Sequence, residues 1–207
     1  MYSVKEIYKT IQGEGAQSGR TAVFVRFTGC NLWSGKEKHR ANAICNFCDT
    51  DFVGTDGENG GKYSAEELLE VIKTIWDSKV DGYIVFTGGE PMLQLDKDLI
   101  EICRASNFET AIETNGTIEI DFAIDWICVS PKSGSVLKVF KGNELKVVFP
   151  QEELKLDQLQ NLIFDHYFLQ PMDSEKSEQN TQDTINYCKS NPKWKLSLQQ
   201  HKLLGIP

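Results

Sequence analysis

The feature that most constrains this chain is a regular alternation of short apolar runs with helical patterns. Tyr83-Ile84-Val85-Phe86-Thr87 is an apolar run closed by Gly88-Gly89, which reads as a strand buried on both faces. Ser64 can cap a helix with Glu67 reaching back, and Leu68, Leu69, Ile72 and Ile75 or Trp76 then recur at helical spacing to about Ser78. Asp96–Ala105, Leu154–Leu162 and Thr181–Lys189 suit further helices. Strands are expected at Ala22–Phe27, Thr110–Thr114, Trp126–Ser130, Leu145–Phe149, His166–Gln170 and Trp194–Leu198. Such alternation means βα units, a mostly parallel sheet and an α/β fold. No internal repeat interrupts it, and 207 residues suit one domain, 1–207.

Asn31–Asn46, glycine-rich Gly54–Lys62 and polar Asp173–Asn180 read as loops. A formal net charge of -8 argues against nucleic acid or an anionic membrane as partner. No run approaches the roughly 20 apolar residues needed to span a bilayer, and the start lacks a secretory layout. The expected compartment is the cytoplasm, where the six cysteines would be thiols or metal ligands rather than disulfides.

In a parallel sheet, ligands bind where strands end. Cys30 follows the Ala22–Phe27 strand; fourteen residues separate it from Cys45, and two separate Cys45 from Cys48. Thiolates suit zinc or iron–sulfur clusters. With His39 as fourth ligand the three could close a zinc site; without it, three cysteines leave one iron of a cluster open. Cys103, Cys128 and Cys188 sit in apolar segments and read as core thiols. Four polar motifs also follow strands: Thr87-Gly88-Gly89-Glu90-Pro91, Glu113-Thr114-Asn115-Gly116, Ser130-Pro131-Lys132 and Gln170-Pro171-Met172-Asp173. Paired glycines let backbone approach a ligand, and Glu90 could accept from an ammonium. Asp49-Thr50 suits a hard cation. Gln12-Gly13-Glu14-Gly15 lacks the Lys-Ser/Thr of a phosphate loop.

Taken together, the cysteines and Gly88-Gly89-Glu90-Pro91 resemble the radical S-adenosylmethionine (SAM) superfamily, whose common spacing is C-x3-C-x2-C. The long first gap, Ile11–Gly15, Arg26–Cys30, Cys45–Thr50, the four strand-end motifs and the ending His201–Pro207 resemble one of its families, the 7-carboxy-7-deazaguanine synthases. That resemblance implies an incomplete, distorted (β/α)6-type partial barrel with a modified cluster loop at about 31–47, and a homodimer. It implies that Cys30, Cys45 and Cys48 hold a [4Fe–4S] cluster whose fourth iron is chelated by SAM, and that Thr50 ligates Mg2+. Phe47, Cys48, Asp49, Gly89, Glu90, Thr114, Asn115, Ser130, Pro131, Lys132, Gln170, Pro171, Met172 and Asp173 would line the SAM site. Ile11, Gln12, Gly13, Glu14, Arg26, Thr87, His201 and the Pro207 carboxylate would hold the substrate, with Glu14, Arg26, Thr87 and His201 nearest the chemistry. The implied reaction converts 6-carboxy-5,6,7,8-tetrahydropterin to 7-carboxy-7-deazaguanine with loss of ammonia, in queuosine biosynthesis, using electrons from a flavodoxin or ferredoxin. Two other readings stay open from sequence: an activase making a glycyl radical on a partner protein, and a zinc-stabilised binding module.

Overall fold

Strands whose residues alternate between two environments set the architecture. The computed structural model describes residues 1–207. Its nine strands form one sheet: β1 (Tyr2–Ile11), β2 (Thr21–Phe27), β3 (Gly61–Tyr63), β4 (Gly82–Gly88), β5 (Phe108–Thr114), β6 (Trp126–Val129), β7 (Lys141–Phe149), β8 (Ile163–Pro171) and β9 (Lys195–Leu196). The order is β3-β1-β2-β4-β5-β6-β7-β8-β9. From β2 and β4 through β9 every neighbour is parallel, whereas β1 pairs antiparallel with both β2 and β3.

One face of the sheet is apolar. Val25, Phe27, Ile84, Phe86 and Ile112 pack there against α1 (Ala65–Trp76) and α2 (Lys97–Ala105). Leu145, Val147 and Leu169 carry that core on towards α3 (Leu156–Leu159) and α4 (Ser177–Ser190). A fully buried side chain of this kind is worth about 1.5–3 kcal/mol. The intervening residues Arg26, Thr87, Glu113, Lys146 and Gln170 face the other way and line a cleft. The two crossovers from β5 to β6 and from β6 to β7 contain no helix. The (β/α)6 plan is therefore present with helices missing, which is the incomplete, distorted barrel the sequence implied. No helix is long and apolar enough to cross a membrane.

Several elements differ from the sequence expectation. β1 was not expected, because a bulge between Val4 and Glu6 shifts its alternation and puts Lys5 among buried residues. The expected 154–162 helix shrinks to α3: Glu153 takes a left-handed φ of 64° just before it, and no side chain caps it. The expected Trp194–Leu198 strand is only two residues long. Helix α4 begins at Ser177 and so takes in part of the expected 173–180 loop; its buried side chains include polar Asn180 and Thr184, which weakens the apolar periodicity. The Asn31–Asn46 loop holds a 3-10 helix, Glu37–Asn42, and a last short helix, α5 (Gln200–Leu204), follows β9.

Helix α1 starts where expected: Ser64 Oγ accepts from the Glu67 N–H at 3.2 Å, and the Glu67 carboxylate accepts from the Ser64 N–H at 2.7 Å. Ser64→Ala removes half of that box. Denaturant unfolding should show a loss of about 1 kcal/mol; an unchanged midpoint would remove the cap from the helix's stability.

Candidate active site

The carboxyl ends of the parallel strands open onto a cleft of about 360 Å³. Cys30, just past β2, and Cys45 and Cys48, on the loop after the 3-10 helix, all line it. All three are free thiols. Burial pushes the Cys30 thiol up. The neighbouring Cys45 and Cys48 thiols shift one another, raising Cys45 and lowering Cys48 to about 6. The thiolate is the form that binds metal.

Paired glycines set the position of Cys30. A Cβ on Gly89 would meet the Gly29 carbonyl oxygen at 2.0 Å, and one on Gly88, where φ is 129°, would meet the Phe27 carbonyl oxygen at 2.2 Å. Only bare backbone lets the end of β4 lie this close to the turn that carries Cys30. The Glu90 N–H then donates to the Gly29 carbonyl at 2.9 Å.

Glu90 itself is 0% exposed and does not line the cleft. Its carboxylate accepts from the Thr114 hydroxyl at 2.7 Å, the Asn115 N–H at 2.8 Å and the Met92 N–H at 3.0 Å. It ties the ends of β4 and β5 together, and burial raises its pKa. Pro131 also lies off the cleft, with its carbonyl accepting from Gln151. The other residues implied for the SAM site all line the cleft: Phe47, Cys48, Asp49, Gly89, Thr114, Asn115, Ser130, Lys132, Gln170, Pro171, Met172 and Asp173.

The residues implied for the substrate, Ile11, Gln12, Gly13, Glu14, Arg26, Thr87, His201 and Pro207, all line the same cleft. Arg26 is already engaged, with Nε donating to Glu6 at 2.7 Å and Nη2 to the Tyr8 hydroxyl at 2.9 Å, so two of its five N–H groups are used. Gly13 makes room for His201: a Cβ there would meet the imidazole Nδ1 at 2.6 Å. The Thr10 hydroxyl donates to the Pro207 carbonyl at 2.7 Å. Thr50 lies between Asp49 and Asp51, whose carboxylates are taken by Lys202 at 2.6 Å and Lys5 at 2.9 Å.

The sequence reading missed the residue at the floor. Lys146 is 4% exposed, with Nζ 2.6 Å from Glu14 and 3.0 Å from Glu113. Gln12 donates to Glu113 at 3.0 Å and Gln170 to Glu14 at 3.1 Å. Burial works against charge on both Lys146 and Glu14, but the paired groups more than offset it: Lys146 is raised and Glu14 lowered. The available signal was a lysine inside the apolar run Leu145–Phe149, two residues from Glu144, so that both share a face. Gln199, Lys202, Tyr8 and Trp33 also line the cleft and were not expected.

A single zinc ion needs its ligands to converge on one point. No group of three or more His, Cys, Asp or Glu side chains does so, and exposed His39 lies off the cleft with its Nδ1 bonded to the Ser34 hydroxyl at 2.7 Å. A four-iron cube takes one thiolate per iron and does not demand that convergence.

Residues 39–137 match the family model described as the radical SAM superfamily. The chain is 54% identical over 208 residues to the 7-carboxy-7-deazaguanine synthase of Bordetella pertussis, covering 100% of this chain and 99% of the relative. It is 53% identical to that of Caulobacter vibrioides over 100% of this chain and 99% of the relative. The structure of QueE from Escherichia coli superposes with a TM-score of 0.70 at 26% identity, covering 95% of this chain and 93% of that one.

The chain belongs to the 7-carboxy-7-deazaguanine synthase family. Membership brings a [4Fe–4S] cluster and SAM as cofactors and leaves the activase and zinc-module readings without support. The residues fit those cofactors. Three free thiols line one cleft, with no fourth cysteine among the cleft residues, so a cluster held by them would keep one iron open.

Lys146→Met would leave the half-buried Glu14 and Glu113 carboxylates without their cation. Denaturant unfolding of the cluster-free chain should show a loss of about 3 kcal/mol, partly restored by adding Glu14→Gln; wild-type stability in Lys146→Met would refute the ion-pair assignment. Glu14 ionises more readily folded than unfolded, so its contribution is complete above about pH 4.5 and is lost as pH falls through the lower folded value. Glu14→Gln should flatten the stability profile in that acid range, measured by unfolding at stepped pH.

Proposed function

We propose that this chain converts 6-carboxy-5,6,7,8-tetrahydropterin to 7-carboxy-7-deazaguanine with release of ammonia, in queuosine biosynthesis. What supports this reading is one cleft lined both by three free thiols and by the Glu14–Lys146–Glu113 group. In this reading Cys30, Cys45 and Cys48 hold the cluster, and the strand-end residues from Thr114 to Asp173 that line the cleft hold SAM. When bound, the cluster and SAM supply a 5′-deoxyadenosyl radical through one-electron cleavage of the sulfonium bond.

The protein's own contribution is binding, orientation and exclusion of water. Gln12, Glu14 and Glu113 present amide and carboxylate acceptors to the N–H edge of the pterin, whose donors must be paired once buried. Lys146 bonds to both carboxylates and fixes their positions, so they do not reorganise when the ring binds. The unused N–H groups of Arg26 and the His201 imidazole take the polar remainder of the substrate, and Thr87 adds a hydroxyl beside Arg26. Thr50 would give Mg2+ a single protein ligand, since Asp49 and Asp51 are held by lysines, leaving its other positions for the substrate carboxylate and water. The same reading makes residues 1–207 one domain acting as a cytoplasmic homodimer fed by a flavodoxin or ferredoxin.

Anaerobic reconstitution with iron and sulfide, followed by mass spectrometry of the tetrahydropterin reaction, tests the proposal. The expected product is 7-carboxy-7-deazaguanine; SAM cleavage with no change in the pterin would reject the substrate. Cys45→Ala is expected to abolish both cluster absorbance near 400 nm and SAM cleavage, and normal cleavage would overturn its role as ligand. His201→Ala should raise the KM for the pterin at least tenfold while leaving cluster content unchanged. An unaltered KM would take the imidazole out of substrate binding.

A further inference from the structure

The fourteen residues between Cys30 and Cys45 pose a physical problem. A longer spacer costs closure entropy, about 0.6 kcal/mol per doubling, and a loose spacer would not hold the next two thiols in place. The 3-10 helix within it, Glu37–Asn42, has no capping side chain and no buried residue. Its own contacts do not explain why it is ordered.

One side chain does. The Arg40 guanidinium lies 4.0 Å from the centre of the Trp33 ring, and buried Trp33 meets Phe52 edge-on at 5.6 Å. Arg40 Nε donates to both Glu37 oxygens at 2.8 and 2.9 Å. Its Nη1 reaches across the loop to the Asn46 carbonyl at 3.0 Å and the Cys48 carbonyl at 2.9 Å. These two carbonyls belong to the peptides just after Asn46 and just after Cys48. Because trans peptides point C=O and N–H in opposite directions, gripping them also fixes the Phe47 and Asp49 N–H groups. The base of the loop is closed separately, by the Ile44 N–H on the Leu32 carbonyl at 3.1 Å.

We propose that Arg40 is a positioning residue for the cluster: its guanidinium clamps the peptides around Cys45-Asn46-Phe47-Cys48 and thereby fixes two of the three thiolates. It touches no reacting atom. A forked donor that also stacks on Trp33 can do this, whereas a lysine is a point charge on a flexible stem. Arg40 also puts a fixed positive charge on the loop that carries two thiolates. Cluster potentials respond to nearby charge and to the peptide groups around the sulfurs, so losing it disfavours the more negative, reduced state. The inference rests on the cluster assignment above.

The test compares wild type, Arg40→Gln, Arg40→Lys and the exposed-neighbour control Lys36→Ala, all reconstituted anaerobically. Arg40→Gln should lose its 400 nm absorbance in air at least tenfold faster than wild type and show a lowered midpoint potential in an EPR-monitored titration. Arg40→Lys should fall between them, and Lys36→Ala should match wild type. Circular dichroism melting of the cluster-free chains should be the same for all four. Wild-type cluster lifetime and potential in Arg40→Gln would overturn the proposal. So would a lowered melting temperature of cluster-free Arg40→Gln, which would make Arg40 a general folding residue. Failure of the wild-type chain to assemble any cluster would instead refute the cluster assignment itself.

Discussion

A lysine amine cannot be kept charged in a protein interior without partners, and the floor of this cleft is organised around that requirement. Lys146 lies between Glu14 and Glu113, contributed by a turn after β1 and by β5. Those carboxylates are in turn held by Gln170 and Gln12, and Gln170 accepts from the Ser197 hydroxyl just past β9. One cation thus draws four distant parts of the chain to a common point. The network is costly to desolvate and strongly destabilised by loss of one member, and a protein that needed only a core would do better with leucine there. In the proposed reading its use is chemical: it offers a donor-rich ligand two acceptors whose positions are already set.

Much of the scaffold was legible because the sheet separates its two faces by simple alternation. Tyr83–Thr87 and Leu145–Phe149 announced strands, and the Ser64–Glu67 box announced α1. What escaped the reading escaped for identifiable reasons. The bulge in β1 breaks the two-residue period, and buried Asn180 and Thr184 remove the apolar stripe from the start of α4. The cysteines and the strand-end motifs were visible because a parallel sheet collects such residues along one edge. Lys146 was not singled out, since a lone lysine in a strand pattern reads as a solvated side chain until its neighbours from other strands are known.

Glu90 shows the difference between a motif and its members. Gly88 and Gly89 border the cleft, but Glu90 turns inward and gathers three donors, two from the end of β5 and one from the Met92 N–H of the turn after β4. The glycines work through what they lack, allowing backbone to approach backbone beside Cys30. The carboxylate expected to meet a ligand is, in the fold, a brace between backbone segments.

The front of the cleft is closed by the end of the chain. Lys202 on α5 joins Asp49 and Asp173 at 2.6 and 2.5 Å, and the Gln200 N–H reaches the Gly13 carbonyl at 3.0 Å. These partners lie 29 to nearly 190 positions apart in the sequence, so the pocket has no complete wall until α5 has docked. Unlike a small zinc domain, whose metal nucleates its own folding, this chain has a nine-stranded sheet and two large clusters of buried apolar side chains beneath its cleft.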